Sequence, residues 1–244
     1  MGTRKLTEYL CSIASVLALG FGTAEAACLP NLPDRLVFTF CHDSGGWVGG
    51  FADLPADELE GELFALSFRR AAVPGQPAFL RGLMLSGANR SDDLFMFLKR
   101  QVTGLVPGAR YAVGLRATLS TEAGRGCVGI GGAPGEGVTV KAGAVPFEPL
   151  AVAEDGFLRM NLDKGEQASG GADAVVLGDL AADRARCEGG VFVPKRFATW
   201  GQAIVGEADE DGNLWLIVGT DSGFEGTTTY FVTALQLRLK RLPD

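Results

Sequence analysis

Two stretches of alternating sequence decide the fold: RYAVGLRATL at residues 110–119 and TYFVTALQLRL at residues 229–239. In each stretch, every second side chain falls on one face, and that face is mainly apolar. A period of two residues indicates a β-strand with one buried face, because successive side chains of a strand point to opposite sides. The shared faces consist of Tyr111, Val113, Leu115, Ala117 and Leu119 in the first stretch and of Phe231, Thr233, Leu235, Leu237 and Leu239 in the second.

Shorter apolar runs, separated by turn residues such as Pro107-Gly108, predict further strands around these two. The best helical window, Ala56–Leu63, contains Gly61 and can form two turns at most. We therefore predict an all-β fold, an antiparallel β-sandwich of the jelly-roll kind with glycine-rich loops and very little helix. The further strands are predicted at Leu36–Phe40, Leu63–Phe68, Leu94–Val102, Val138–Lys141, Ala174–Leu180, Gln202–Ala208 and Leu214–Gly219.

The composition excludes several classes of protein. The chain has 244 residues, a formal net charge of −7 and no block of Lys and Arg, which argues against nucleic-acid binding. Its 35 glycines follow no three-residue period, which excludes a collagen-like chain. Since no linker of changed composition divides the sequence, we expect one β-sandwich domain over residues 27–244, with a long irregular segment between Gly143 and Gly171.

The N-terminus has the pattern of a secretory signal peptide. Arg4 and Lys5 precede an apolar run from Leu10 to Phe21, and Ala24–Ala26 then supplies small residues at the positions that a signal peptidase reads. Cleavage after residue 26 would leave a secreted or periplasmic mature chain without a transmembrane segment. The apolar run stops short of the roughly 20 residues that a spanning helix needs. A lipid-modified Cys28 is the alternative.

Four cysteines remain after removal of the signal peptide. An even number in an exported chain favours disulfides over free thiols. A zinc site would need close cysteine pairs or nearby histidines, and only His42 adjoins a cysteine. Among the three pairings that four cysteines allow, we expect Cys127 to pair with Cys187 and Cys28 to pair with Cys41.

Two segments carry a family resemblance: VTGLVPGARYAV at residues 102–113 and FCHDSGGW at residues 40–47. The first resembles the strand, Gly-Leu-x-Pro-Gly-x-x-Tyr turn and strand of galactose-binding-like jelly rolls, which include many carbohydrate-binding modules. The second is similar to the opening of such modules, where a strand ends in Phe and a polar turn leads to Gly-Trp. The resemblance implies a jelly roll and a carbohydrate ligand. A similar turn also occurs in fibronectin type III domains.

A weakly bound structural calcium ion is the one cofactor that the sequence suggests. In modules of the resembled kind a carboxylate after the opening strand often helps to ligate calcium, and here Asp43 would have to serve. Glu207, Asp209 and Asp211 occupy the first, third and fifth places of an EF-hand-like loop, but the twelfth place is Val218. An acidic hairpin turn is therefore the expected structure there.

Sequence motifs for catalysis give little support to an enzyme. The lone imidazole, His42, stands two residues from Ser44 in an Asp-Ser-Gly-Gly motif, and it would otherwise have to reach Ser222 across the fold to act as its base. The glycine-rich stretch Gly124–Gly129 has the letters of a dinucleotide-binding loop, but no helix follows it. We predict no catalytic residue from these motifs.

The predicted function is non-catalytic binding of a glycan or another small polar ligand, at the cell envelope or outside the cell, through loops at one end of the sandwich. Aromatic faces suit the apolar side of a sugar ring, and amides and carboxylates suit its hydroxyls. An extracytoplasmic hydrolase with acids among Asp92, Asp93, Asp221 and Glu225, and a purely structural envelope protein, are the alternatives. The predicted ligand-binding residues are Trp47, Asn89, Asp92, Asp93, Asp221, Phe224 and Glu225, with Trp200 as a second exposed tryptophan.

Overall fold

The computed structural model describes residues 35–199 and 204–243. The predicted signal peptide, Cys28 and Trp200 lie outside these ranges. Fifteen strands and one 3-10 turn, Ala56–Glu58, are assigned. The strands are β1 Leu36–Thr39, β2 Val48–Ala52, β3 Leu54–Pro55, β4 Ser67–Ala72, β5 Arg81–Ala88, β6 Leu94–Val102, β7 Arg110–Thr121, β8 Val138–Val145, β9 Ala151–Glu154, β10 Phe157–Met160, β11 Ala174–Asp179, β12 Val193–Ala198, β13 Ile204–Glu207, β14 Leu214–Ser222 and β15 Thr227–Arg241.

The strands form two large antiparallel sheets and one small one. The seven-stranded sheet has the order β12-β7-β15-β5-β4, with β1 paired to β15 and β13 paired to β7. The five-stranded sheet has the order β11-β8-β14-β6-β2, and a small sheet has the order β3-β10-β9. One apolar core contains inward-facing residues of both large sheets, among them Leu115 of β7 and Leu216 of β14. The predicted antiparallel β-sandwich is the observed architecture. In the part of the chain that the structure describes, no helix has the length and apolar character needed to cross a membrane.

The predicted buried face of the last strand is wrong in its first part, because β15 contains a β-bulge. The pairing of β15 with β7 shifts between Val232 and Ala234, so one extra residue enters β15. As a result, Tyr230 and Val232 share the core with Leu235, whereas Phe231 lies on the opposite face and stacks edge to face on Phe192. A bulge inserts one residue and so reverses the side-chain alternation beyond it, which a strict period of two does not anticipate.

The Gly-Leu-x-Pro-Gly-x-x-Tyr segment forms a closed turn between β6 and β7. Gly104 and Gly108 have φ values of +79° and +65°, which glycine adopts without a Cβ penalty. The backbone N–H of Val106 donates a hydrogen bond of 2.9 Å to the Tyr111 hydroxyl, and Leu105 is buried in the core. The turn therefore anchors one end of the two sheets to the core.

Several predicted strands are shifted or extended in the structure. Strand β6 has the predicted limits, but the strand expected at Leu63–Phe68 begins only at Ser67. Strand β5 was not predicted, because it is buried on both faces and does not alternate. The segment expected to be irregular between Gly143 and Gly171 contains β9 and β10, and it covers the outer face of the five-stranded sheet through a second apolar cluster.

The predicted disulfide between Cys127 and Cys187 is present in the structure. It joins two loops that are separated by 60 residues in sequence. Cys41 is exposed, and its predicted partner Cys28 lies outside the described residues. The second pairing therefore stays a prediction.

Candidate functional site

A group of charged side chains is buried on the outer face of the five-stranded sheet. In β14, Leu216 and Val218 point into the main core, so Asp221 points outward with Ile217. Strand β8 pairs with β14 and places Lys141 opposite Gly219, two residues from Asp221. The Asp221 side chain is 0% exposed and that of Lys141 is 1% exposed. Two opposite charges are therefore held together under the covering segment.

Ion pairs connect these two residues to the segment above them. The ammonium groups of Lys141 and Lys164 each donate to Asp221 Oδ2 at 2.7 Å, and Lys141 Nζ also donates to the Lys164 carbonyl at 3.0 Å. Lys164 Nζ lies 2.9 Å from Asp53 Oδ2, and Arg159 Nη1 donates to Asp53 Oδ1 at 3.2 Å. We call Asp53, Asp93, Asp221, Lys141 and Lys164 the buried ionic cluster.

The backbone around Asp53 is fixed by its neighbours. Asp53 stands between β2 and β3 with a φ of +62°, which is unusual for a residue other than glycine. Its N–H donates to the Leu158 carbonyl at 2.7 Å, and its carbonyl accepts from the Ser91 hydroxyl at 2.7 Å. These bonds hold the carboxylate of Asp53 toward Lys164 and Arg159.

Asp93 is the carboxyl group of this cluster that faces solvent. Burial raises the pKa of Asp93 to about 7. A hydrogen bond with Asp221 and the charges of Asp221 and Asp53 act in the same direction, whereas the charge of Lys164 opposes them. Two carboxyl groups can hydrogen-bond only when one of them carries a proton. Asp93 Oδ1 and Asp221 Oδ1 accept no other hydrogen bond. The raised pKa places this proton on Asp93 below about pH 7.

Lys164 remains charged in this setting. Burial alone would lower the pKa of Lys164, but the charge and hydrogen bond of Asp221 and the charges of Asp53 and Asp93 raise it. The three carboxyl groups of Asp53, Asp93 and Asp221 face the two ammonium groups of Lys141 and Lys164, with the Arg159 guanidinium at the margin. The cluster is thus balanced by the protein's own side chains.

This balance does not favour calcium at the cluster. Carboxylate oxygens of Asp53, Asp93 and Asp221 lie within 4.8 Å of one another, which is close enough to share an ion. However, Asp221 Oδ2 already accepts from two ammonium groups, and calcium requires six to eight oxygen ligands.

The acidic turn at residues 207–213 is likewise occupied by its own backbone. The Asp209 carboxylate accepts hydrogen bonds from the backbone N–H groups of Asp211 and Asn213. These bonds lower the pKa of Asp209; the bond from Asn213 has the largest effect, and the N–H of Gly212 adds a smaller one. A tight acidic turn is present, but the predicted hairpin is wrong, because β13 before the turn pairs with β7 in one large sheet and β14 after it pairs with β6 and β8 in the other.

An open cleft of about 830 Å³ lies beside the ionic cluster. Its floor includes Asp53, Asp93 and Lys164, Arg159 stands at its side, and the loop Gly165–Ser169 forms its wall. Phe157, 36% exposed, holds its ring 5.0 Å from the Arg159 guanidinium. The cleft thus presents a carboxyl group, a guanidinium and a loop of polar groups side by side.

The loop that forms the wall is folded around Asp163. Its carboxylate accepts from the N–H groups of Gly165 and Ala172 at 2.9 and 2.8 Å, and the bonds from Ala172 and Gly165 lower the pKa of Asp163. Asp163 in turn donates its own N–H to Asp173 Oδ2 at 2.8 Å. A Cβ on Gly143 would collide with the Asp173 carbonyl, so this glycine lets the loop lie directly on the sheet.

The predicted ligand residues separate into two groups in the structure. Asp93 and Asp221 meet in the ionic cluster. Asp92 and Glu225 lie together at the neighbouring end of the sandwich, where their hydrogen bond is the main reason that the pKa of Glu225 is raised. Phe224 is half-buried and packs against the main core.

Three predictions about these residues are wrong. Trp47 is 1% exposed and packs edge to face on Phe38 at 5.8 Å, so it belongs to the core and not to a ligand surface. Asn89 is buried and donates its side-chain N–H to the Ser222 carbonyl at 2.7 Å, so its amide is used within the fold. Asp221 lies in β14 and is inaccessible, because that strand extends to Ser222 instead of ending at Gly219.

The sequence prediction missed Asp53, Lys141, Lys164 and Arg159. Lys141 did carry a signal, since it is the only charged residue in the otherwise apolar strand VTVKAGAV. A charge in a strand buried on both faces must find a partner. Asp53 and Lys164 lie in loops, Arg159 lies in the short strand β10, and none of the three had a comparable signal.

The chain was compared with known proteins. No protein-family model and no curated protein sequence matches it. Similar solved structures are mostly carbohydrate-binding modules, although TM-scores are low. The tandem CBM22 domain of Paenibacillus barcinonensis Xyn10C has a TM-score of 0.40 and 12% identity over 86% of this chain. The mannan-recognising module TmCBM27 has a TM-score of 0.39 and 14% identity over 85% of this chain.

A module specific for non-crystalline cellulose, CBM28, gives a TM-score of 0.32 and 11% identity over 83% of this chain. The matches cover 99% of TmCBM27 and 90% of CBM28, but the chain spans only 46% of the CBM22 tandem. Residues 40–47 and 102–113 predicted a resemblance to such modules, and the similar solved structures are mostly of this kind.

Proposed function

We propose that this chain is an exported, non-catalytic β-sandwich protein that binds a glycan, and that the ligand occupies the cleft beside the buried ionic cluster. The observation that carries the proposal is the composition of that cleft. Hydroxyl groups of a sugar both donate and accept hydrogen bonds, and the cleft offers the Asp93 carboxyl and the Arg159 guanidinium within one cavity of about 830 Å³.

The ionic cluster supports this role by fixing the floor of the cleft. Lys141 and Lys164 hold Asp221 from two sides, so the polar groups above it do not need to rearrange when a ligand arrives. Groups that are already positioned lose less conformational freedom on binding. The loop Gly165–Ser169 is held in the same way by the Asp163 carboxylate.

The geometry of the acids favours binding over glycoside hydrolysis. A hydrolase of the usual kind needs two carboxyl groups about 5–10 Å apart on either side of the scissile bond. Asp93 hydrogen-bonds with Asp221, and Glu225 hydrogen-bonds with Asp92, so both pairs are closer than that. The buried Asp221 is also closed to a substrate.

Export is supported by the disulfide between Cys127 and Cys187, because such bonds persist in oxidising compartments. The sequence pattern of residues 1–26 points the same way. Both observations agree with a ligand at the cell envelope or outside the cell.

A glycan array with matched variants tests the proposal. Arg159→Gln removes the guanidinium from the cleft. Asp92→Asn with Glu225→Gln removes two charges from the neighbouring end of the sandwich, where Gly223–Gly226 form what we call the end loop. We expect Arg159→Gln to weaken binding about tenfold or more, as loss of a charged hydrogen bond does, and the double variant to bind like the parent. Loss of binding only in the double variant would move the site to the end loop, and turnover of a bound glycan would contradict the non-catalytic assignment.

A further inference from the structure

The outer face of the seven-stranded sheet carries an excess of positive charge. Strands β7, β12 and β15 contain Lys and Arg residues but no Asp or Glu, and the one acid of the adjoining strand β13, Glu207, lies opposite Arg110. The whole chain, by contrast, has a net charge of −7. A local field of opposite sign to the net charge concentrates anions at that face.

A cavity of about 270 Å³ opens on this face. It lies where β7 changes partner, because the pairing with β12 ends at Ala198 opposite Arg116 and the pairing with β13 begins at Ile204 opposite Val113. Strand β15 closes its other side. The lining includes Arg35, Gly114, Arg116, Thr199, Gln236 and Arg238.

Three arginines, Arg35, Arg116 and Arg238, line this cavity from adjacent segments of the sheet. Arg238 stands opposite Gly114 and Gln236 stands opposite Arg116 in the pairing of β15 with β7. Arg35 precedes β1 and donates a hydrogen bond to Gln236 Oε1. The amide nitrogen of Gln236 is a further donor in the same wall.

Gly114 forms the floor of the cavity, and the described structure gives no internal reason for a glycine there. Its φ lies outside the left-handed region, and a Cβ would meet only Arg238 atoms at 3.7 and 3.8 Å, which is ordinary van der Waals contact. Glycine weakens the interior of a strand, and it often marks a place where another molecule approaches the backbone closely. A larger side chain at this position would project into the cavity.

We propose that this cavity is a second ligand site, which binds a carboxylate on a molecule the size of one sugar unit, a hexuronic acid being the simplest example. The planar guanidinium fork matches a carboxylate in two parallel hydrogen bonds. A volume of about 270 Å³ is near the lower end for small-molecule sites, which suits a single ring. The Gln236 amide can serve a ring hydroxyl. This site lies on the sheet opposite the proposed glycan cleft and is independent of it.

Calorimetric titration of the full mature protein with glucuronate tests the inference. Glucose serves as the neutral ligand of similar size, and sulfate serves as the anion without a ring. We expect glucuronate to bind at least about tenfold more tightly than glucose or sulfate, and to bind more weakly as NaCl is raised from about 50 to 500 mM.

Three variants locate the binding. Arg238→Gln removes one charge, Gly114→Val fills the floor, and each is expected to weaken glucuronate binding about tenfold or more. Arg69→Gln, on strand β4 at the far edge of the same sheet, is the matched control and should bind like the parent. Circular dichroism and thermal unfolding show whether each variant is folded. If Gly114→Val does not fold, Arg238→Gln alone decides whether the cavity binds glucuronate.

The inference is overturned if glucuronate shows no binding at about 10 mM, a concentration above the millimolar range of weak ligands. It is also overturned if sulfate binds as tightly as glucuronate, or if both variants bind like Arg69→Gln. The Arg159→Gln variant should bind glucuronate normally, so failure of this site and failure of the proposed glycan cleft are separate results.

Discussion

Lys141 Nζ lies 2.7 Å from Asp221 Oδ2, and both side chains are almost completely withdrawn from water on the outer face of a β-sheet. Taking two charges out of water is costly unless each finds the other and further hydrogen bonds. Here Lys164 supplies the second donor to Asp221 and its carbonyl accepts from Lys141. The covering segment is thus attached to the sheet by ionic contacts as well as by its apolar side chains.

Removal of one partner of the Lys141–Asp221 ion pair should therefore lower the free energy of unfolding. We expect Lys141→Met to lower the free energy of unfolding by about 3–5 kcal/mol, because it leaves a buried carboxylate short of one cation. Lys99→Met is the matched control, since Lys99 of strand β6 pairs with Glu148, whose carboxylate is 45% exposed and can be solvated when the pair is lost, and it should cost only about 1 kcal/mol. Urea unfolding measures both, and similar losses in the two variants would contradict the ionic attachment.

The raised pKa of Asp93 makes stability depend on pH. Its folded pKa of about 7 lies above the ordinary value of 3.8, so the folded state binds the proton more tightly than the unfolded state. The stability linked to this proton is complete below pH 3.8, and it is lost as the pH rises toward 7. The melting temperature of the parent should therefore fall over this range relative to that of Asp93→Asn, which cannot ionise. Parallel pH profiles for the two proteins would show that Asp93 does not hold this proton.

The disulfide should contribute measurably to stability. Cys127 and Cys187 close a loop of 60 residues, and we expect the double serine variant to lose about 2–4 kcal/mol, mainly through the greater freedom of the unfolded chain. Equal melting temperatures for the double variant and the parent under oxidising conditions would exclude the expected contribution.

The mature protein should begin at Ala27. This follows from the small residues at Ala24–Ala26 after the apolar run, and intact-mass measurement of protein exported by its natural host checks it. Alkylation without reduction should leave the mass unchanged if Cys41 pairs with Cys28, as the even cysteine count predicts. A lipid adduct on Cys28, or an alkylated Cys41, would each refute one part of this prediction.

Regular alternation made much of the fold predictable. Strand β7 alternates over most of its length because one of its faces meets the core and the other meets solvent, so its start at Arg110 and its buried residues up to Leu119 follow from the sequence, whereas its end at Thr121 does not. Strand β5 is covered on both faces, by the main core and by the Met84 cluster, and its sequence RGLMLSGA has no period to read. The bulge in β15 is a tertiary feature that local sequence does not encode clearly.

The site was less predictable, because its residues meet only through long-range contacts. Asp93 and Asp221 were identified as separate loop residues, and nothing in the sequence showed that they share a proton. Asp53 and Lys164 come from turns that are more than 100 residues apart. Trp47 was misplaced because its flanking glycines suggested an exposed turn, whereas the turn folds the indole back onto Phe38.

Backbone NMR of the isotopically labelled mature protein, titrated with the glycan that binds most tightly on the array, tests the central claim most directly. If the ligand occupies the cleft beside the ionic cluster, the amide signals of Gly165–Ser169 should shift on binding, and those of Gly223–Gly226 at the end loop should not. Shifts confined to the end loop, or no shifts at saturating glycan, would contradict the assignment of the cleft as the glycan site.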